Sequence, residues 1–211
     1  MRNIVIKKTL YTFNELSEEA KNQAIETRRQ DIVEDDNTYY FQDVIDNMLD
    51  NWNDLTGITV NVDDVCYSLS YCQGDGVSFI SRYIDIEKVL NFYSKQGTKQ
   101  AKVVEKIRKD KNYKYVKDNF EFTIRRIDSM YTHENTVGCY YTDTTYESTD
   151  GQDELAEQIA QIINEVKNYV CRDIYNELDE AYNYLLSDEY IKELLEMENN
   201  EYTADGIEWY N

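Results

Sequence analysis

Gln73-Gly74-Asp75-Gly76 sets a glycine on either side of one carboxylate. Glycines so placed let backbone amides converge on a phosphate, usually where a helix begins and with a Lys or Arg close by. Here the flanking runs CYSLSYC and VSFISR alternate with period two, no helix follows, and Asp75 stands where the anion would go. The spacing therefore predicts the tip of a hairpin, with Asp75 presented to a partner. His133, the single histidine, lies beside Glu134 and near Cys139, types that together can activate a thiol. Neighbouring carboxylates oppose thiolate formation, and the polar YTHENT predicts a solvent-exposed loop histidine. Cys66, Cys72, Cys139 and Cys171 form no CxxC pair. On one strand Cys66 and Cys72 would lie roughly 20 Å apart, beyond disulfide reach. Asp143, Asp150 and Asp153 in TDTTYESTDGQDE lack the spacing of a calcium loop. No catalytic, cofactor-binding or metal-ligating residue is assigned, and the chain is read as a non-enzyme with reduced thiols.

Charge is more telling. The formal net charge is −20, and residues 129–211 hold 20 acidic side chains against 3 basic ones. Residues 101–128 run the other way, with 9 basic against 5 acidic. Proteins hold nucleic acid through Lys and Arg, so the balance argues against direct nucleic-acid binding and for a basic partner surface. Glu154, Glu157, Glu165, Asp173, Glu177 and Glu180 fall off the apolar stripe of one long predicted helix, and Asp188, Glu189, Glu193 and Glu196 continue on a second. Helical carboxylates three or four residues apart lie about 5–6 Å from each other, near the spacing of successive backbone phosphates. A stiff helix so decorated imitates one strand of a duplex. Tyr175, Tyr182, Tyr184 and Tyr190 add planar surface where bases would stack. Lys102, Lys106, Arg108, Lys109, Lys111, Lys114 and Lys117, interleaved with Tyr113 and Tyr115, fit either an RNA or DNA contact or a solvated face that pairs with the acidic third, within the chain or across a dimer, and the global negative field favours the second.

These groups need a scaffold. Asn3 to Leu10 alternates as a strand, and Ser17 caps SEEAKNQAIETRRQ, with Arg28-Arg29 in its last turn. Phe41, Val44, Ile45, Met48, Leu49, Trp52 and Leu55 predict a helix stopped at Gly57. Period two then places Val65, Tyr67, Leu69 and Tyr71 on one face, and Cys66, Ser68, Ser70 and Cys72 on the other. IDIEKVLNFYSKQG predicts a short helix, and TKQAKVVEKIRKDKNYKYVKD one more that fades into a connector. NFEFTIRRID and TVGCYYTDTTYES give a second strand pair. The long helix follows Asp150-Gly151, and Ser187 caps DEYIKELLEM. The fold class is α+β: an antiparallel sheet built from hairpins around 58–83 and 119–147, packed by helices including a long C-terminal one. Residues 1–150 are expected as the core and 151–211 as an acidic helical segment packing on it within one domain. No stretch approaches the roughly 20 apolar residues of a membrane span, and the N-terminal apolar run breaks at Lys7-Lys8, unlike a secretory signal. A cytoplasmic protein without a membrane partner is expected.

Three patches, FNELSEEAKNQAIE, SYCQGDGVSF and YNYLLSDEYIKELLEMENNEYTADG, in that order resemble a set of small proteins carried by bacteriophages and prophages. In that set the patches form a first helix, a QGDG hairpin and a C-terminal helix pair with its tail. The resemblance covers about a quarter of the chain, carries no catalytic residues and does not extend to 102–117.

Charge and resemblance together lead to the expectation of a phage-encoded acidic inhibitor, an anti-CRISPR or anti-restriction protein. It would block the nucleic-acid groove of a host CRISPR effector or restriction enzyme. The carboxylates named above, with Tyr182, Tyr190 and Asp75, would make the contact. The alternative is a non-enzymatic phage accessory scaffold that forms a homodimer through its basic 101–117 and acidic 152–196 segments.

Overall fold

The structure, a computed structural model, describes residues 7–35, 37–69, 72, 74–127 and 129–209. Its elements in chain order are β1 (Tyr11–Thr12), α1 (Glu18–Glu34), α2 (Thr38–Thr56), β2 (Ile58–Thr59), β3 (Val65–Ser68), β4 (Gly76–Phe79), β5 (Tyr83–Ile84), α3 (Ile86–Ser94), α4 (Thr98–Lys109), α5 (Tyr113–Asn119), β6 (Phe120–Arg126), β7 (Val137–Asp143), α6 (Asp150–Leu185), α7 (Asp188–Glu198) and β8 (Glu201–Tyr202). The class is α+β, as the sequence predicts, and each strand pair is antiparallel. The chain forms two compact units, Met1–Tyr39 with Glu180–Asn211, and Tyr40–Asp179. The division between the two units falls within α6.

In the first unit β1 pairs with β8, Tyr11 opposite Tyr202 and Thr12 opposite Glu201. The strand expected over Asn3–Leu10 lies partly outside the described residues, and Lys7 to Leu10 have no regular structure. Ser17 caps α1 by accepting from Ala20 N–H at 3.2 Å. The helix does not end at Arg28-Arg29. It runs on because Ile32, one turn later, is still buried. The two arginines are thereby placed mid-helix, where Arg28 meets Glu198 at 2.7 Å and Arg29 meets Asp188 at 2.5 Å. Phe13, Ala24, Ile25, Ile191, Leu195 and Tyr202 are buried, and the Phe13 and Tyr202 rings meet edge-on at 6.4 Å.

In the second unit both predicted hairpins are present, as β3–β4 and β6–β7, each a two-stranded sheet. Ser81 and Ile124 bridge the two regions through reciprocal backbone bonds of 3.1 and 2.8 Å. Pairing stops there because the Ser81 hydroxyl bonds Thr59 O and Tyr83 O, turning the chain into β5. All four residues of β4 are buried, so the alternation read from the sequence does not divide an inner from an outer face. Ser70, Tyr71 and Gln73, part of that alternation and of the hinge, lie outside the described residues. The lysine-rich segment forms two helices instead of one. Asp110 ends α4, and its carboxylate accepts from Asn112 N–H at 2.8 Å, an Asx turn that starts the chain toward α5. Gly57, at φ +72°, stops α2 as predicted.

Candidate functional site

The acidic third carries only three basic side chains, and all three are committed inside the molecule. Lys167 is 2% exposed, and its ammonium donates to Glu134 O at 2.7 Å and Val137 O at 2.6 Å. Burial pushes its pKa down, against the pull of Cys171, Glu134 and Cys139. Arg172 pairs with the Glu134 carboxylate at 3.1 Å, and Lys192 lies 3.9 Å from Asp188. Among the described residues Glu154, Glu177, Glu180, Glu189, Glu193 and Glu196 are exposed and have no ion pair.

Within the second unit α6 does not present these carboxylates as one straight ridge. From Ile162 the buried stripe advances in steps of four, through Val166, Val170, Ile174 and Leu178. At 100° per residue each such step rotates the buried face by roughly 40°. Glu154, Glu157 and Glu165 fall opposite the first part of that face, whereas Asp173 and Glu177 are turned roughly 100° or more from Glu154. Glu154 and Glu157 border a shallow cleft with Asp150, Asp153 and Tyr141. Burial, then a hydrogen bond to Glu157, raises the Tyr141 pKa. Glu165, Tyr169, Asp173 and Glu177 form a second stripe, one residue per turn. Tyr93 O–H donates to Glu165 at 2.8 Å, and Trp52 Nε1–H donates to Asp173 Oδ2 at 3.1 Å. The Trp52 ring meets Tyr169 at 5.5 Å and Phe92 at 5.7 Å, both edge-on.

In the first unit Ser187 caps α7 by accepting from Tyr190 N–H at 3.2 Å. Glu189, Glu193 and Glu196 share the face of α7 turned away from buried Ile191 and Leu195. Asp188 is different, since Arg29 and Lys192 both meet it. Tyr184 and Tyr190 pack their rings at 5.1 Å, while Tyr182 is half-buried.

The glycine hinge is held from outside. Asp75 accepts from Ser68 Oγ at 2.7 Å and from Cys72 N–H at 2.8 Å, so the carboxylate expected at a partner closes its own hairpin. Gly76 has φ +151°, and a Cβ there would lie 2.7 Å from His133 Cβ and 2.9 Å from its Cα. Thr132 N–H donates to Gly74 O at 3.2 Å. His133 is therefore half-buried against the hinge, not the exposed loop residue predicted, and its Nδ1 accepts from Asn135 N–H. Cys139 is no thiolate either, because burial pushes it up to about 12.

Four residues of the basic run find partners nearby. Arg108, Lys117 and the Tyr113 hydroxyl converge on Glu87 at 2.8, 3.0 and 2.9 Å, Lys109 pairs with Glu105, and Lys114 with Asp118. No ion pair among the described residues joins 101–117 to 152–196, the intrachain pairing expected from sequence. Local pairs win because they lie one helical turn, or one helix packing, away.

Two features escaped the sequence. Lys167 falls among Ile163, Cys171 and Ile174 on the buried arc, and that placement was its available signal. Trp52 belongs to the apolar spacing of α2, and its bond to Asp173 has no signal in that spacing. Among the described residues no group of three or more His, Cys, Asp or Glu is arranged to hold a metal, and no helix is long and apolar enough to cross a membrane. The family model of a domain of unknown function, DUF8835, matches residues 40–188, and the chain belongs to that family. The match begins where the second unit begins. No curated protein and no solved structure matches the chain.

Proposed function

We propose that this DUF8835 protein is a non-enzymatic acidic inhibitor that occupies the basic nucleic-acid groove of a host defence nuclease, a CRISPR effector or a restriction enzyme. Its setting would be a phage or prophage genome and the host cytoplasm, in keeping with the resemblance in its three sequence patches. One observation carries the reading. The bases within the acidic third are spent on Glu134, Val137 and Asp188, while Glu154, Glu177, Glu180, Glu189, Glu193 and Glu196 face outward without a cation. Unpaired carboxylates on rigid helices repel each other, and a Lys/Arg-lined groove relieves that repulsion. Because the outward face of α6 rotates along the helix, its carboxylates act as successive patches rather than one continuous duplex strand. The experiment is capture from host lysate by the tagged protein, followed by competition. Excess DNA or guide RNA displaces the partner if the same groove is contested, and failure to displace it sinks the proposal.

A second reading has one observation in its favour. Lys102, Lys106 and Lys111 are exposed and have no ion pair among the described residues. They are free to meet an acidic face of another copy. Light scattering separates the readings, since a scaffold dimer of this kind dissociates as salt rises.

A further inference from the structure

A groove of about 380 Å³ runs beside Trp52, with Val44 and Met48 on the α2 side and Asp173 and Glu177 on the α6 side. We propose that it takes one arginine side chain of the partner protein, the anchor of the contact. This rests on the reading of the molecule as a ligand for a basic surface.

The lining matches an arginine atom group by atom group. Val44 and Met48 are half-buried and offer apolar surface along which a trimethylene stem can lie. The indole of Trp52 supplies an electron-rich ring for a guanidinium, which binds by stacking as well as by charge. That ring is held in place by its bond to Asp173 and by edge contacts to Phe92 and Tyr169 at interplanar angles of 80° and 72°. Tyr169, edge-on to that ring, is 49% exposed. Glu177, one turn beyond Asp173, is exposed and has no ion pair among the described residues. An apolar occupant would strip water from two carboxylates without replacing it, and an anion would be repelled. A planar cation with an apolar stem suits the aliphatic, aromatic and carboxylate walls, and the side-chain carbonyls of Asn47 and Asn51, which also line the groove, can accept from its N–H groups.

The test uses the full-length, 15N-labelled protein and a hexa-arginine peptide at low salt. The Trp52 indole resonance is assigned by its loss in Trp52→Phe and distinguished from that of Trp209. The expected result is a titratable shift of the Trp52 indole. Glu177→Gln, an exposed change that leaves the spectrum folded, weakens binding about three- to tenfold. Glu34→Gln on α1 leaves it unchanged. Peptide binding with the Trp52 indole unmoved, or undiminished by Glu177→Gln, overturns the groove while leaving the acidic-inhibitor reading standing. Absence of any peptide binding overturns both.

Discussion

The ammonium of Lys167 donates to the carbonyl of Val137 at 2.6 Å in the interior of the second unit. Together with the bond to Glu134 O it ties α6 to the turn that opens β7. Lys167→Met keeps the stem and removes a charge that burial disfavours, but it orphans two carbonyls. The loss outweighs the gain, and stability falls by about 1–2 kcal/mol. Urea unfolding followed by circular dichroism measures it. A variant as stable as the parent would mean that the ammonium does not hold the turn.

Alkaline pH weakens the fold. Burial, before any neighbouring charge, raises Cys139, Cys171, Tyr93 and Tyr113 to about 12, from ordinary values of 9.0 for the thiols and 10.0 for the phenols. Each folded pKa lies above the unfolded one, so the stabilisation is complete below the unfolded value and is lost as pH rises toward about 12. Lys167 runs the other way, because its folded pKa is lowered and its burial cost fades as pH approaches 10.5. Tyr141 and Tyr175 are raised as well, so the thiols and phenols outweigh Lys167 and Tm falls between about pH 9 and 12. Tyr113→Phe makes that fall shallower, and an unchanged slope would contradict the assignment.

Glu87 gathers Arg108, Lys117 and Tyr113. Partial burial works to raise its pKa, but the hydrogen bonds from Lys117, Tyr113 and Arg108 outweigh it and hold the pKa below 4.5. A lowered carboxylate stabilises above its unfolded pKa, and that contribution disappears as pH falls through the folded value. Glu87→Gln therefore flattens the acid limb of the stability curve below pH 4.5. The site is partly solvated, so the loss at neutral pH stays under about 1 kcal/mol.

Gly76→Ala sets a methyl group at φ +151° against the backbone of His133. Strain and the shifted loop cost about 1–3 kcal/mol. The Tm reports the cost, and the His133 ring resonances report the displacement.

Removing charge from α7 separates stability from binding. Glu189→Gln, Glu193→Gln and Glu196→Gln together relieve like-charge repulsion of a few tenths of a kcal/mol per pair, so Tm rises slightly. Affinity for the captured basic partner falls. Inhibition by the parent is likewise weaker at 1 M salt than at 0.1 M, since the Debye length shrinks from about 10 to about 3 Å. Salt-independent inhibition would rule out the electrostatic mechanism.

Local patterns were legible without coordinates. Apolar spacing and caps such as Ser17 and Ser187 located α1, α2, α6 and α7, because helix periodicity and end chemistry are encoded within a few residues. Gly74 and Gly76 between alternating runs located the β3–β4 hairpin, and the charge count located the acidic third. Tertiary structure decided the rest, because each remaining question depended on partners distant in the chain. Asp75 turned inward because Ser68 lies across the hairpin, and His133 was covered because two loops meet at Gly76. Lys167 was consumed by carbonyls 30 and 33 residues away, and Trp52 found Asp173 across 121 residues. A sequence counts charges, whereas only packing determines which of them are spent.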